Sequence, residues 1–164
     1  MAVDMFLKLG SIKGESVDDK HKGEIEVLSW HWGATQTGTT HSGPGGGAGK
    51  ANFQDLTITK YLDSSSPILL DHLARGKHVA EALLTVRKSG GKPLEYLKLK
   101  LQDTIISSLQ TGGSRSSGQS SADERITETL GLNFARYEIE YVPQKADGSG
   151  DASVQSKFDI AKNA

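Results

Sequence analysis

Residues 94–106 read Leu-Glu-Tyr-Leu-Lys-Leu-Lys-Leu-Gln-Asp-Thr-Ile-Ile. Leu97, Leu99 and Leu101 recur at every second position, with Lys98, Lys100 and Gln102 between them. Successive side chains of a strand point to opposite faces, so this pattern predicts a strand with one buried face and one wet face. The preceding stretch, VAEALLTVRK at 79–88, reads as a second strand. Ser89-Gly90-Gly91-Lys92-Pro93 joins the two and carries the Gly/Pro chemistry of a hairpin turn.

The same period runs outward in both directions. Met5, Leu7 and Leu9 share a face of a first strand, and Phe6 breaks the polarity of the other face. Residues 24–36 are predicted as one long strand with a change of phase, because Ile25 and Val27 are in step and Leu28, Trp30 and Trp32 then take over. A one-residue slip swaps the faces, and a β-bulge is the usual structural answer. Leu56 and Ile58 mark a strand around 53–61. Residues 125–142 change phase between Leu130, Leu132, Phe134 and Tyr137, Ile139, Tyr141. Val154, Phe158 and Ile160 mark a last strand. One helix is predicted at about residues 67–75, with Ser66 as N-cap, Pro67 at the first helical position and Gly76 as the stop. It is too short to stand alone and must dock on a sheet or plug a barrel end. Short strands separated by turn signals make the chain mainly β, one domain over 1–164, built as a two-sheet sandwich or a barrel.

Two stretches, TQTGTTHSGPGGGAGK at 35–50 and TGGSRSSGQSSA at 111–122, are too rich in Gly and Ser for regular structure and are expected to be long loops. The 19 basic and 20 acidic residues leave a net charge of −1, which argues against a dedicated nucleic-acid binder. The absence of cysteine excludes disulfides and thiolate chemistry. No apolar run approaches the ~20 residues that span a bilayer, so no membrane insertion is expected. MAVDMFLKLG carries Asp4 and lacks the basic and apolar regions of a secretory signal.

Candidate chemistry is thin. Gly49-Lys50 resembles the end of a phosphate-binding loop, but Pro44 holds the position of the first glycine and Ala51 that of the hydroxyl residue. His21, His31, His41, His72 and His78 show no metal-ligand spacing. No nucleophile elbow is present. Asp103, Glu128 and Glu138 are expected on solvated strand faces. Lys98, Lys100, Arg87 and Lys88, with Arg136 and Lys60, are expected as charge dressing of a solvent face or as a basic docking stripe. No cofactor or metal is expected, and no enzyme activity.

Several segments then resemble one family in order and with compatible spacing. They are MAVDMFLKLGSIKGES, the strand Glu24–Gln36 with Trp30-His31-Trp32, the GPGGGAGK arm, Asp55–Asp63, Ser66-Pro67, Gly76-Lys77-His78, Leu84–Lys88, Glu95-Tyr96-Leu97, Glu128 and Leu132–Ala135. Together they are similar to the haemolysin-coregulated protein (Hcp) family of type VI secretion. The resemblance implies a β-barrel of two packed sheets with one short helix. It implies hexameric rings that stack into an inner tube, wrapped by a contractile sheath, tipped by a spike protein and expelled from the cell without a cleaved signal peptide after a stage in the bacterial cytoplasm. It implies that the ring lumen carries small effector proteins, and that no fused toxin domain fits before Ala164. Under it, Thr40, His41, Ser42, Gly43, Pro44, Gly45, Gly46, Gly47, Gly49 and Lys50 belong to an arm that reaches a neighbouring subunit or the next ring. Ser29 and His31 are the candidates for the lumen face, where His31 would influence cargo. The alternative is a monomeric β-sandwich that binds a protein or carbohydrate ligand; against it, Trp30 and Trp32 are expected to be buried and only Tyr96 to sit on a polar face.

Overall fold

Alternating apolar residues become a closed wall in the computed structural model, which describes residues 2–38, 47, 49–113 and 125–164. The elements run β1 (Val3–Leu9), β2 (Ile25–Glu26), β3 (Ser29–His31), β4 (Ala34–Thr35), β5 (Asn52–Phe53), β6 (Leu56–Tyr61), α1 (Ser66–Arg75), β7 (His78–Lys88), β8 (Leu94–Gly112), β9 (Thr127–Asn133), β10 (Arg136–Tyr141) and β11 (Val154–Asp159). Their hydrogen-bonded order is β2-β1-β7-β8-β9-β6-β3, all neighbours antiparallel, with β10 and β11 branching from β8.

The two ends of that path are one stretch of chain. The Val27 N–H donates to the Met5 carbonyl on β1 at 3.0 Å, and the next N–H, Leu28, donates to Thr59 on β6 at 2.8 Å. The sheet therefore returns on itself as a barrel. The single long strand expected at 24–36 is instead β2, β3 and β4, because the chain changes partner from β1 to β6 at this point. The change of phase read from Val27 to Leu28 is that change of partner.

The two packed sheets are halves of one continuous sheet folded at β8. Gln102 pairs with Arg136 of β10, and from Ile105 onward the strand pairs with β9. Between them Asp103 takes a left-handed φ of 51° and Thr104 turns inward to donate to the Val79 carbonyl at 2.6 Å. Opposite this bend, β9 gives way to β10 at Phe134-Ala135, which is the second phase change read from the sequence. β8 also runs on to Gly112, so the start of the predicted loop at 111–122 is strand.

Leu7, Leu9, Leu56, Ile58, Leu84, Leu99, Leu101, Leu130 and Leu132 fill the interior, each essentially without solvent contact. Each such side chain contributes about 1.5–3 kcal/mol by leaving water. Helix α1 packs across β8 at one end of the barrel. Gly76 closes it with φ 61°, and its N–H caps the Leu73 carbonyl. Its N-cap is Ser65, not Ser66, and makes no side-chain cap bond. Ser66 is the first helical residue, and its hydroxyl turns into the barrel.

Candidate functional site

The register sorts the outward side chains into two chemically different surfaces. Along β3, β6, β9 and the far half of β8, Ser29 stands opposite Thr59, Thr59 opposite Thr129, and Thr129 opposite Gln110. In the next row His31 stands opposite Thr57, Thr57 opposite Gly131, and Gly131 opposite Ser108. Ser29 and His31 are both exposed, and Trp30 between them packs against the core. Neither row contains Asp, Glu, Lys or Arg.

The near half of β8 with β10 and β11 carries the charges. Lys98 stands opposite Glu140, Lys100 opposite Glu138 and Glu138 opposite Lys157, while Gln102 faces Arg136 and Arg136 faces Asp159. Opposite charges across adjacent strands attract, so this surface is a checkerboard. Of the two readings of these basic residues, the docking stripe does not form. Lys98 and Lys100 alternate with glutamates, and Arg87 is buried between Asp4 and Asp18. Lys60 lies on the inward face of β6 with no exposure.

Lys60 is the centre of a buried polar cluster under α1. Its Nζ donates to Glu128 Oε2 at 2.7 Å, to Ser66 Oγ at 3.1 Å and to the Tyr61 carbonyl at 2.9 Å, and lies 3.0 Å from Asp63 Oδ1. Glu128 also accepts from Ser66 Oγ at 2.6 Å and Thr111 Oγ1 at 2.9 Å. Burial pushes the Glu128 carboxyl up, but the bonds from Lys60, Ser66 and Thr111 outweigh it and hold the carboxyl below its ordinary value. Glu128 is thus not on a solvated face as expected. Both charges sit in phase with apolar neighbours, Lys60 after Leu56 and Ile58, Glu128 before Leu130 and Leu132, and that signal was legible.

A second cluster explains Phe6. On the outer face of β1, Phe6 is covered by His21, whose ring stacks on it at 4.4 Å, with the Arg87 guanidinium 5.2 Å from the Phe6 centroid. His21 Nδ1 meets Glu24 and Nε2 meets Glu95, both at 2.8 Å. Arg87 holds Asp18 at 2.5 Å and Asp4 at 3.1 Å. Its hydrogen bond lowers the Asp18 carboxyl to about 2. These bonds lash the β1–β2 connection across β7 and β8.

Aromatics flank the stretch expected as an arm. Trp32 donates through Nε1 to the Gln54 carbonyl at 3.0 Å and packs against Phe53, Phe134 and Tyr137, and Phe53 stacks near Phe158. Trp30 and Trp32 are therefore half-buried, not core residues as expected. Of the arm residues, Thr40, His41, Ser42, Gly43, Pro44, Gly45 and Gly46 lie outside the described residues. Gly47, Gly49 and Lys50 are exposed, and the Gly49 N–H donates to the Thr37 carbonyl at 3.2 Å. Lys50 leads into strand β5, not into the helix of a phosphate-binding loop. His72 bonds the Ile68 carbonyl of its own helix at 2.9 Å. Among the described residues no group of three or more His, Asp and Glu is placed to hold a metal ion, and no helix is long and apolar enough to cross a membrane.

Residues 6–141 match the family model described as Type VI secretion system effector, Hcp. The chain belongs to the Hcp family. It is 48% identical to protein hcp1 of Pseudomonas aeruginosa over 165 residues, covering 99% of this chain and 98% of that one. Among solved structures, Hcp1 from Salmonella typhimurium is 35% identical with a TM-score of 0.77, covering 100% of this chain and 99% of that chain. A solved structure of a type six secretion system protein is 30% identical with a TM-score of 0.90, covering 99% of both chains. The Hcp family is one of secreted type VI tube proteins and not an enzyme family, and its members share the mainly β architecture found here.

Proposed function

We propose that this Hcp chain is the repeating subunit of a type VI inner tube and performs no chemistry. The subunit closes into hexameric rings, which stack, are wrapped by the contractile sheath, tipped by the spike protein and expelled from the cell. It is made in the bacterial cytoplasm and leaves without a cleaved signal peptide. The observation that carries this reading is likeness over the whole chain, at 48% identity, to an Hcp protein. Three features of the fold support it. Among the described residues β11 has one strand partner, so its other edge is available to a neighbour. An uncovered edge is a liability that a ring interface removes. The outward face bearing Ser29 and His31 lies on the opposite limb of β8 from the charge checkerboard, so one face suits the lumen and the other suits contacts outside it. Trp32 and Phe53, which flank the 37–50 stretch, pack on each other, a fixed base from which that stretch, read as an arm, contacts the next subunit or ring. Small effector proteins are carried in the lumen, where His31 influences which are accepted.

Negative-stain electron microscopy with light-scattering mass on one sample tests this reading. Rings with a central hole at the mass of a hexamer are expected. Monomers of 17.5 kDa across a wide concentration range would sink it in favour of a monomeric binding module. His31→Ala rings that retain every cargo of the parent would remove the role given to His31.

A further inference from the structure

We infer that the lumen wall accepts polypeptide cargo of either net charge, holding it through neutral hydroxyl and amide groups rather than ion pairs. This rests on the ring reading above, with the Ser29 and His31 face turned to the lumen. Of this chain 24% is charged. Yet the rows Ser29–Thr59–Thr129–Gln110 and His31–Thr57–Gly131–Ser108 contain no fixed charge. Composition is not the cause, because the near half of β8 with β10 and β11 is densely charged.

Symmetry amplifies the difference. One lumenal charge per subunit becomes a ring of like charges around the pore. Such a ring repels itself and, with a screening length of about 8–10 Å at moderate salt, admits one sign of cargo and rejects the other. A wall of hydroxyls imposes no sign. His31 is the titratable group within the rows. Among the described residues, the charged or titratable groups at their margins include Asp55, which accepts from Ser107 at 2.6 Å and Asn133 at 2.8 Å, the Tyr61–Arg125 pair, whose guanidinium lies 3.8 Å from the ring centroid, and Glu15 and Glu26, which border the same Tyr61 and Arg125.

The chain lacks cysteine, so single-cysteine variants can be labelled cleanly. Rings of Thr57→Cys, with Ser29→Cys as a second variant, are coupled to a polymer maleimide and imaged beside Lys100→Cys. Label density in the central hole for the first two and on the outside for the third is expected. The charge test uses one small globular test domain prepared in an acidic and a basic version. Parent rings at about pH 8, where histidine is mostly neutral, should retain the two versions within twofold of each other from about 0.05 to 0.5 M salt. Thr129→Glu rings should favour the basic version at least threefold at low salt and lose that preference at high salt. Parent rings that select one version at low salt overturn the inference and leave the ring reading intact. Label on the outer rim overturns the inference and the lumen assignment together. Absence of rings in the unsubstituted protein overturns the ring reading itself.

Discussion

Replacing Lys60 by methionine removes one partner of a buried ion pair while keeping the length of the side chain. Lys60 is 0% exposed and Glu128 2%. In the variant Glu128 keeps the bonds from Ser66 and Thr111 but loses the cation 2.7 Å away, and Asp63 loses the same cation. Breaking a buried pair from one side typically costs about 3–5 kcal/mol. Most domains have a total of about 5–15 kcal/mol, so the loss is a large share. With a urea dependence near 2 kcal/mol per molar, the midpoint should fall by about 1.5–2.5 M. The assay is urea unfolding at pH 7.5 and one fixed protein concentration, since assembly adds concentration-dependent stability. Glu128→Gln and the double variant complete a cycle. The double variant should cost at least about 1 kcal/mol less than the sum of the singles, because Glu128 is then no longer left charged and Asp63 alone loses its partner. The pH dependence has a definite sign. The Glu128 carboxyl is held below its ordinary 4.5 in the fold, so its stabilisation is present above that value. It is lost as pH falls through the lower folded value. The gap between parent and Lys60→Met should therefore narrow in acid. Single losses that add to within about 0.5 kcal/mol, or a gap that widens in acid, would refute the coupled-pair argument.

Three further outcomes are expected. His21→Phe keeps the stack on Phe6 but loses both carboxylates, so amide exchange should quicken across 14–24 while the Leu99 and Leu130 amides stay protected; quickening everywhere would contradict a local clasp. The Asp18 carboxyl should titrate near 2 by carbon-detected NMR, well under its ordinary 3.8, and its stabilisation should persist above that ordinary value and vanish only as pH drops towards 2. Gly14→Ala should cost more than about 1 kcal/mol, because a Cβ there would lie 2.5 Å from the Glu24 carbonyl oxygen and 2.7 Å from the Ile25 Cα; a thermal melt unchanged from the parent would show that this crossing has room to spare.

Alternation by itself determined the strand content, the hairpin at Ser89–Pro93, the short helix and its glycine stop, because period and turn chemistry are local properties of the chain. Ordered segment resemblance determined the Hcp family, and Ser29 and His31 fall on the face opposite Trp30, as alternation requires. Which partner a strand takes is not local. The phase changes at Val27-Leu28 and Phe134-Ala135 were visible, but whether each was a bulge or a change of neighbour depended on backbone donors on β1, β6 and β8. Lys60 and Glu128 share the phase of the buried Leu and Ile residues, which is a local signal for burial, but only the register brought the two together from either side of α1 in the chain. His21 and Glu95 are far apart in sequence and meet only because the β1–β2 connection folds over β7 and β8. The uncharged quadrant is likewise invisible along the chain, since its serines and threonines come from four strands; pairing across the sheet, decided by tertiary packing, is what lines them up.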